Sequence, residues 1–339
     1  MPVWIETPML ESCFMVATLL SLGSINADFQ VRVDDPPGTV ETSLAHDLCR
    51  LGGGKAANRA FLGRLYGLDC HLLGRVGADD LAEQALAPLR QVGVNLKGVS
   101  RSTSAGTAVS MIMVPPQGKK HIVLASNAND DWDEAAIADV LERIAQASRP
   151  SWLTVDCEIP AAVASRALAQ ARRAGMPVLL DPSFAQRVDL GWLDGLAAIT
   201  PNCEETSGLL GTHVETLEQA ARAVRELSRR GVHIACVKLA DGGAVLAHED
   251  GVYHVPGAGM TVVDSTGAGD AFSGVLAVCL VQGFTPLEAA CRAVAASDLS
   301  VGGYGSQPAY PSPAQIEGHA PAICQQVRKL HGRSHLRSL

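Results

Sequence analysis

From residue 130 onward the chain alternates between two hydrophobic periods. Apolar positions three and four apart predict helices over 133–147, 160–174, 203–211, 215–230, 268–283, 286–300 and 313–329. Between them lie short apolar runs bounded by turn residues. SWLTVDC, MPVLLDP, LAAIT and HIACVKL read as buried strands, and a hairpin turns at Asp250-Gly251. Earlier, CFMVATLLSLG reads as a buried first strand and GGGKAANRAFLGRLYG as a glycine-rich turn opening a helix. CHLLGRVG is a strand, and DDLAEQALAPLRQVG a helix closed by Gly93. Strands alternating with helices predict βαβ units around a parallel sheet covered on both faces, an α/β fold.

Two segments break that rhythm. Phe29, Val31 and Val33 alternate with polar residues in a half-exposed strand ending at Pro36-Pro37-Gly38. Residues 107–125 read as a hairpin with Pro115-Pro116-Gln117-Gly118 at its tip. The segments 29–50 and 107–125 are expected to pair into a small sheet, acting as a lid or a dimer surface. The closing stretch VRKLHGRSHLRSL is basic and weakly patterned, and is expected to be frayed or solvated.

Charge and composition narrow the picture. With 27 basic and 35 acidic residues the net charge is −8, which argues against a dedicated nucleic-acid binder but still allows a local cationic site for phosphates. Nine cysteines stand singly, without a CxxC pair, as expected of reduced thiols in a cytoplasmic protein. Ten histidines form no HExxH spacing, so a structural zinc is not expected. The first apolar run is too short to span a bilayer and follows Glu6 and Glu11, where a secretion signal carries positive charge. Neither nucleic acid nor a membrane is an expected partner.

Parallel α/β sheets bind ligands at the carboxyl ends of their strands. Four junctions carry polar groups there: LGSINAD with Asn26 and Asp28, VDCEIP with Glu158, AITPNCEE with Asn202 and Glu205, and GMTVVDSTGAGD with Asp264 and Asp270. Taken alone, each residue reads first as a cap or turn former, and it is their clustering at one sheet edge that points to a ligand. In the last junction Gly267, Ala268 and Gly269 precede an apolar helix, whose first N–H groups and dipole would attract an anion. Asp270 at that rim is either a helix cap or a base beside a phosphate. The second reading is the chemistry of a phosphotransferase. No G-x-x-x-x-G-K-[ST] occurs, and Phe272 stands where a G-x-G-x-x-G fingerprint has its third glycine, so a P-loop is excluded and a nicotinamide-binding reading loses its support. Lys55 and Asn58, beside Gly53 and Gly54 in GGGKAANRAF, raise the same choice between packing and ligand binding.

Taken in order, GSINAD, GGKAAN, TPNCEE and DSTGAGDAFSG resemble the motifs of the ribokinase-like (PfkB) sugar kinase family. The resemblance covers roughly residues 16–312, and the last motif matches the family's D-x-T-G-A-G-D signature completely. It implies a doubly wound α/β/α sandwich with a small β-sheet lid, here one domain over 14–330 with terminal extensions 1–13 and 331–339. It also implies an ATP- and Mg²⁺-dependent kinase acting on the primary hydroxyl of a small sugar. Ribose is the first expectation, because GSINAD and Glu158 match ribokinases. A nucleoside, fructose or 2-keto-3-deoxygluconate, or a non-catalytic sugar- or nucleotide-binding role, are the alternatives.

Carried over position by position, the resemblance makes Asp270 the general base and the backbone of Gly267, Ala268 and Gly269 the anion hole. Asn26, Asp28, Gly54, Lys55, Asn58 and Glu158 would hold sugar hydroxyls. Asn202 and Glu205 match an N-x-x-E motif that positions phosphates and hydrated Mg²⁺, and Lys238, Asp241 and Gly243 in VKLADGG would lie by the nucleotide. Asp264, Thr266, Ser300, Gly303 and Gly305 occupy the places of a monovalent cation (K⁺) site. A homodimer through the lid is compatible with the family. The chain departs from the pattern at Ala56, where a third glycine is usual, and at Lys238 and Ala240, which replace the Thr and Gly of TLG. DDPPGTVETS also differs from the usual lid motif, which leaves the lid's length open.

Overall fold

The first strand, β1 (Thr18–Leu22), is buried along its whole length and lies inside a large sheet, two strands from one edge. Its side chains divide the interior. Leu19 joins a core with Leu72 and Phe272 on one face, and Leu20 and Leu22 join Leu73 and Leu153 on the other. The computed structural model describes residues 17–35, 38 and 42–331. Residues 13–16 of the expected first strand, the expected turn residues Pro36 and Pro37, the extension 1–13 and residues 332–339 lie outside it.

From β1 the chain crosses to β2 (Asn26–Val33) and β3 (Ala45–Gly53), then returns through α1 (Lys55–Leu65), β4 (Asp69–Gly77), α2 (Asp80–Val92) and β5 (Asn95–Ser102). A hairpin, β6 (Ala108–Val114) and β7 (His121–Ala125), follows. Next come α3 (Glu134–Gln146), β8 (Ser151–Asp156), α4 (Ala161–Arg173), β9 (Val178–Asp181) and β10 (Ala198–Ile199). The chain continues with α5 (Cys203–Leu210), α6 (Leu217–Arg229), β11 (Ile234–Lys238), β12 (Ala244–His248) and β13 (Gly251–Val255). It ends with α7 (Ala268–Val281), α8 (Pro286–Ser300), α9 (Pro313–Gln325) and β14 (Arg328–His331).

Ten strands form the large sheet in the order β14-β13-β12-β11-β10-β9-β8-β1-β4-β5, parallel from β11 to β5 and antiparallel at the other end. Helices cover both faces, which is the ribokinase-like α/β arrangement. The two irregular segments do pair: β3-β2-β6-β7 form a separate four-stranded sheet, the lid. Period-two alternation gives this sheet an inner face with Asp28, Gln30, Ser110 and Ile112, and an outer face with Phe29, Val31, Met111 and Val123.

Three expectations need correction. Asn26 and Asp28 do not end a core strand; they begin lid strand β2, because the chain leaves the core at Gly23 and Ser24. The last helix stops at Gln325 rather than 329, and Arg328–His331 pair with β13 instead of fraying, covering the edge of that sheet. Strand β5 has no counterpart in the sequence reading, since NLKGVSRS is a polar edge strand without an apolar face.

Candidate active site

The segment VDSTGAGD enters α7 through a turn centred on Gly267, where φ is 77°. A Cβ there would stand 2.6 Å from Ser306 Cβ and 2.8 Å from the Tyr310 hydroxyl, so both conformation and space demand glycine. Gly267 is itself the N-cap and no side chain caps the helix. The capping reading of Asp270 therefore fails, because Asp270 is the third residue inside α7. Its Oδ2 accepts a hydrogen bond from Asn58 Nδ2 at 2.7 Å, and its Oδ1 faces Lys55 Nζ at 3.4 Å. Asn58 is held in turn, its Oδ1 accepting from Gln307 Nε2 (3.1 Å) and Ser306 Oγ (3.4 Å), which turns its amide N–H groups toward Asp270.

Asp270 and the Gly267–Gly269 turn open on a cavity of about 530 Å³ between the lid's inner face and the carboxyl edge of the large sheet. At one end stand Asn26, Asp28, Gly54, Lys55, Asn58 and Glu158, which the structure brings together. Asn26 is oriented by Ser110, which accepts from its Nδ2 at 3.1 Å, and by Asn129, whose Nδ2 donates to its Oδ1 at 2.8 Å. Asp28 is 5% exposed and its Oδ1 has no hydrogen-bond partner. Burial pushes its carboxyl up to about 7 against the opposing Ser110 hydroxyl, with Asp270 adding to the rise. Burial likewise raises Glu158 to about 7, opposed chiefly by the Lys55 ammonium. Such an end, with buried carboxylates and amides beside a lysine, suits a small polyhydroxylated ligand.

At the other end Lys238, Asp241 and Gly243 line the cavity together with Asp298 and Met260. Asn202 and Glu205 stand between the two ends and form the capping box of α5. Glu205 N donates to Asn202 Oδ1 (2.8 Å) and Asn202 N donates to Glu205 Oε2 (2.7 Å). The hydrogen bonds show the capping role, and both residues also line the cavity. Thr266 lines the cavity, whereas Asp264, Ser300, Gly303 and Gly305 lie behind it. Asp264 is fully buried, and each of its oxygens accepts two hydrogen bonds: Oδ1 from Thr266 N and Oγ1, and Oδ2 from Gln30 Nε2 and Gly305 N.

Several residues at the site were missed by sequence reasoning. Asp181, at the end of β9, is completely buried and pairs with Lys55 (3.7 Å) and Lys238 (3.5 Å). Burial would raise its carboxyl, but Lys238, Lys55 and Arg59 together hold it well below the usual carboxylate range. Arg59 and Asp156 form a fully buried ion pair at 2.7 Å, and Asp156 also accepts from Ser24 N, anchoring the crossing into the lid. Lys120, beside the lid's tip, donates to the Ser265 carbonyl at 2.7 Å; burial depresses its ammonium. The available signal for Asp181 and Asp156 was a lone acid at the end of an apolar strand.

Comparison with known proteins places this geometry. Residues 16–313 match the pfkB family carbohydrate kinases. A ribokinase of Arabidopsis thaliana is 32% identical over 302 residues, spanning 86% of this chain and 78% of that protein. A deoxyribokinase of Salmonella typhi is 29% identical over 298 residues, 87% of this chain and 96% of that one. The solved structure of Arabidopsis thaliana ribokinase complexed with ribose and ATP superposes with a TM-score of 0.74 at 28% identity, covering 90% of this chain and 99% of that one. Among the described residues no helix is long and apolar enough to cross a membrane, and all the described cysteines are free thiols. The chain belongs to the pfkB family of carbohydrate kinases, ATP-using phosphotransferases with an alcohol group as acceptor.

Proposed function

We propose that this kinase transfers the γ-phosphoryl group of ATP to the primary hydroxyl of a small sugar, ribose before others, with Asp270 as general base. One observation carries the reading. The Asp270 carboxylate, aimed by Asn58 and Lys55, stands beside the uncapped start of α7 in a single cavity that has buried carboxylates, amides and Lys55 at one end and Lys238 at the other. Asp270 takes the hydroxyl proton as the oxygen attacks, and the N–H groups at the helix start stabilise charge on the group in transfer. Asp28, with its unpartnered oxygen, and Asn26, Glu158 and Lys55 hold and orient the sugar. Lys238, Asp241 and Gly243 take the nucleotide side.

The donor set fits hydrated Mg²⁺ carried on the phosphates, since that ion needs only one or two carboxylates and keeps its waters. Glu205 and Asn202 would hold it, and it would neutralise charge on the phosphate chain. No cluster of three or more His, Cys, Asp or Glu suited to an all-protein metal cage occurs among the described residues. At the K⁺ position the four acceptor sites of Asp264 are filled, so a cation there would rest on backbone carbonyls of the 264–266 and 303–305 loops.

Ribose is favoured by the relative solved with ribose and ATP, and the deoxyribokinase relative makes the 2-hydroxyl the discriminating group. A coupled ADP-release assay over ribose, 2-deoxyribose, fructose and a nucleoside, with and without K⁺, tests the substrate. Asp270→Asn should abolish most turnover while calorimetry still detects sugar and ATP binding. A normal kcat in that variant refutes the assignment of the base.

A further inference from the structure

Lys238 ends β11, where its backbone N–H donates to the Pro201 carbonyl at 2.9 Å and the residue bridges to Asn202. Its ammonium reaches back across the carboxyl edge of the sheet to Asp181 Oδ2, 3.5 Å away, and lies 3.5 Å from where a Cβ on Gly269 would stand. Gly269 is the second residue of α7 and the last of the Gly267–Gly269 turn. A phosphate seated on that turn is therefore within reach of Lys238 Nζ. The side chain is only 12% exposed, and what remains open faces the cavity.

Asp181 holds two lysines at once. Lys55 lies 3.7 Å from its Oδ1, and Lys55 is shared with Asp270 at 3.4 Å. Ser273 Oγ donates to Asp181 Oδ2 at 3.0 Å and is itself paired with Thr200 Oγ1 at 2.9 Å, so the carboxylate is fixed from below. Two ammoniums thus face two carboxylates, Asp181 and Asp270. When Asp270 accepts the hydroxyl proton it loses its charge, Lys55 is left to Asp181, and that one carboxylate then compensates two ammoniums, Lys238 among them, beside the turn where negative charge gathers. A cation that becomes uncompensated at the moment of transfer stabilises the transition state more than the ground state.

We propose that Lys238 is a catalytic residue that contacts the transferring phosphoryl group over the Gly267–Gly269 turn, and that Asp181 is the residue that positions it. The inference rests on the phosphotransfer reading above and extends it. The substrate hydroxyl oxygen bonds to the γ-phosphorus as the bond from that phosphorus to the β,γ-bridging oxygen breaks. The hydroxyl proton passes to Asp270 and the electron pair of the broken bond leaves on ADP. Lys238 keeps its proton throughout.

The test compares Lys238→Met, Lys238→Arg and the double variant Lys238→Met/Asp181→Asn with the wild type, and carries Asp270→Asn alongside. Lys238→Met should lower kcat about 100-fold or more, the scale of losing one donor to a developing oxyanion, with the sugar KM little changed. Calorimetry should show weaker binding of a non-hydrolysable ATP analogue and unchanged binding of ADP. Lys238→Arg should recover part of kcat. The double variant, which removes the buried charge left on Asp181, should regain thermal stability without regaining kcat. Recovery of kcat in the double variant, equal losses for ADP and the ATP analogue, or a near-normal kcat in Lys238→Met each overturns the proposal. A fully active Asp270→Asn instead overturns the phosphotransfer reading on which it rests.

Discussion

Replacing Gly267 with alanine tests the turn that carries the site. The backbone there is left-handed, and a residue with a Cβ adopts it at a cost of about 1–2 kcal/mol. The added methyl would also meet Ser306 Cβ at 2.6 Å and the Tyr310 hydroxyl at 2.8 Å, and overpacking of that kind costs a further ~1–3 kcal/mol. Together these give a destabilisation of about 2–5 kcal/mol. Gly283, just past the far end of the same helix, provides the control. Its φ is +84° and nothing lies within 4 Å of its Cβ position, so Gly283→Ala should show only the conformational part, ~1–2 kcal/mol. Urea unfolding of both variants measures the difference directly. Gly267→Ala should also lose most of its kcat, since Ser306, displaced by the methyl, helps hold Asn58 against Asp270. Equal destabilisation of the two variants would show that the crowding at Gly267 is not real. Full activity in Gly267→Ala would remove the turn from the phosphate site.

Two further outcomes are expected. Asp28 and Glu158 titrate near 7, so kcat/KM for the sugar should fall as pH drops below that value. In Asp28→Asn the sugar KM should rise and the profile lose one ionisation, and an unchanged profile would refute the role. The stability effect has the opposite sign. The folded value of Asp28 lies above the ordinary 3.8, so its proton-linked stabilisation is complete below that pH and is lost as pH rises through about 7. Without ligand, wild-type Tm should therefore fall between pH 5 and 8 relative to Asp28→Asn. On the lid's outer face Leu48, Met111 and Val123 are 59%, 60% and 63% exposed, an apolar surface suited to a second copy of the chain. Sedimentation should show a homodimer that Met111→Glu/Val123→Glu converts to monomer, and a monomeric wild type at micromolar concentration would count against it.

How far the sequence could be read depended on how strongly each element was patterned. Helix α6 (Leu217–Arg229) carries a capping box and an apolar stripe, and α8 (Pro286–Ser300) a capping box with proline at its first position, and the sequence places both within a residue or two. The lid hairpin was legible because Pro115 to Gly118 mark its tip, and Gly118 N does donate back to the Pro115 carbonyl. By contrast β5 and β14 owe their extended form to pairing with β4 and β13 at the edges of the sheet. Their own residues are polar, and nothing local announces the partner.

The site shows the same division between local and long-range information. The Gly267 turn and the α5 capping box are built by neighbouring residues, and both were visible as motifs. The orientation of Asp270 is not local: Asn58 lies 212 positions away from it, and Gln307 holds Asn58 from a third segment. Asp181 illustrates what was still within reach. It closes a run of apolar residues at the carboxyl edge of a parallel strand, the same position that singled out Glu158. A carboxylate there, with no apolar role to play, has to find a cation or a ligand. It found Lys55 and Lys238, which gives the departure at Lys238 from the family's usual threonine a structural partner.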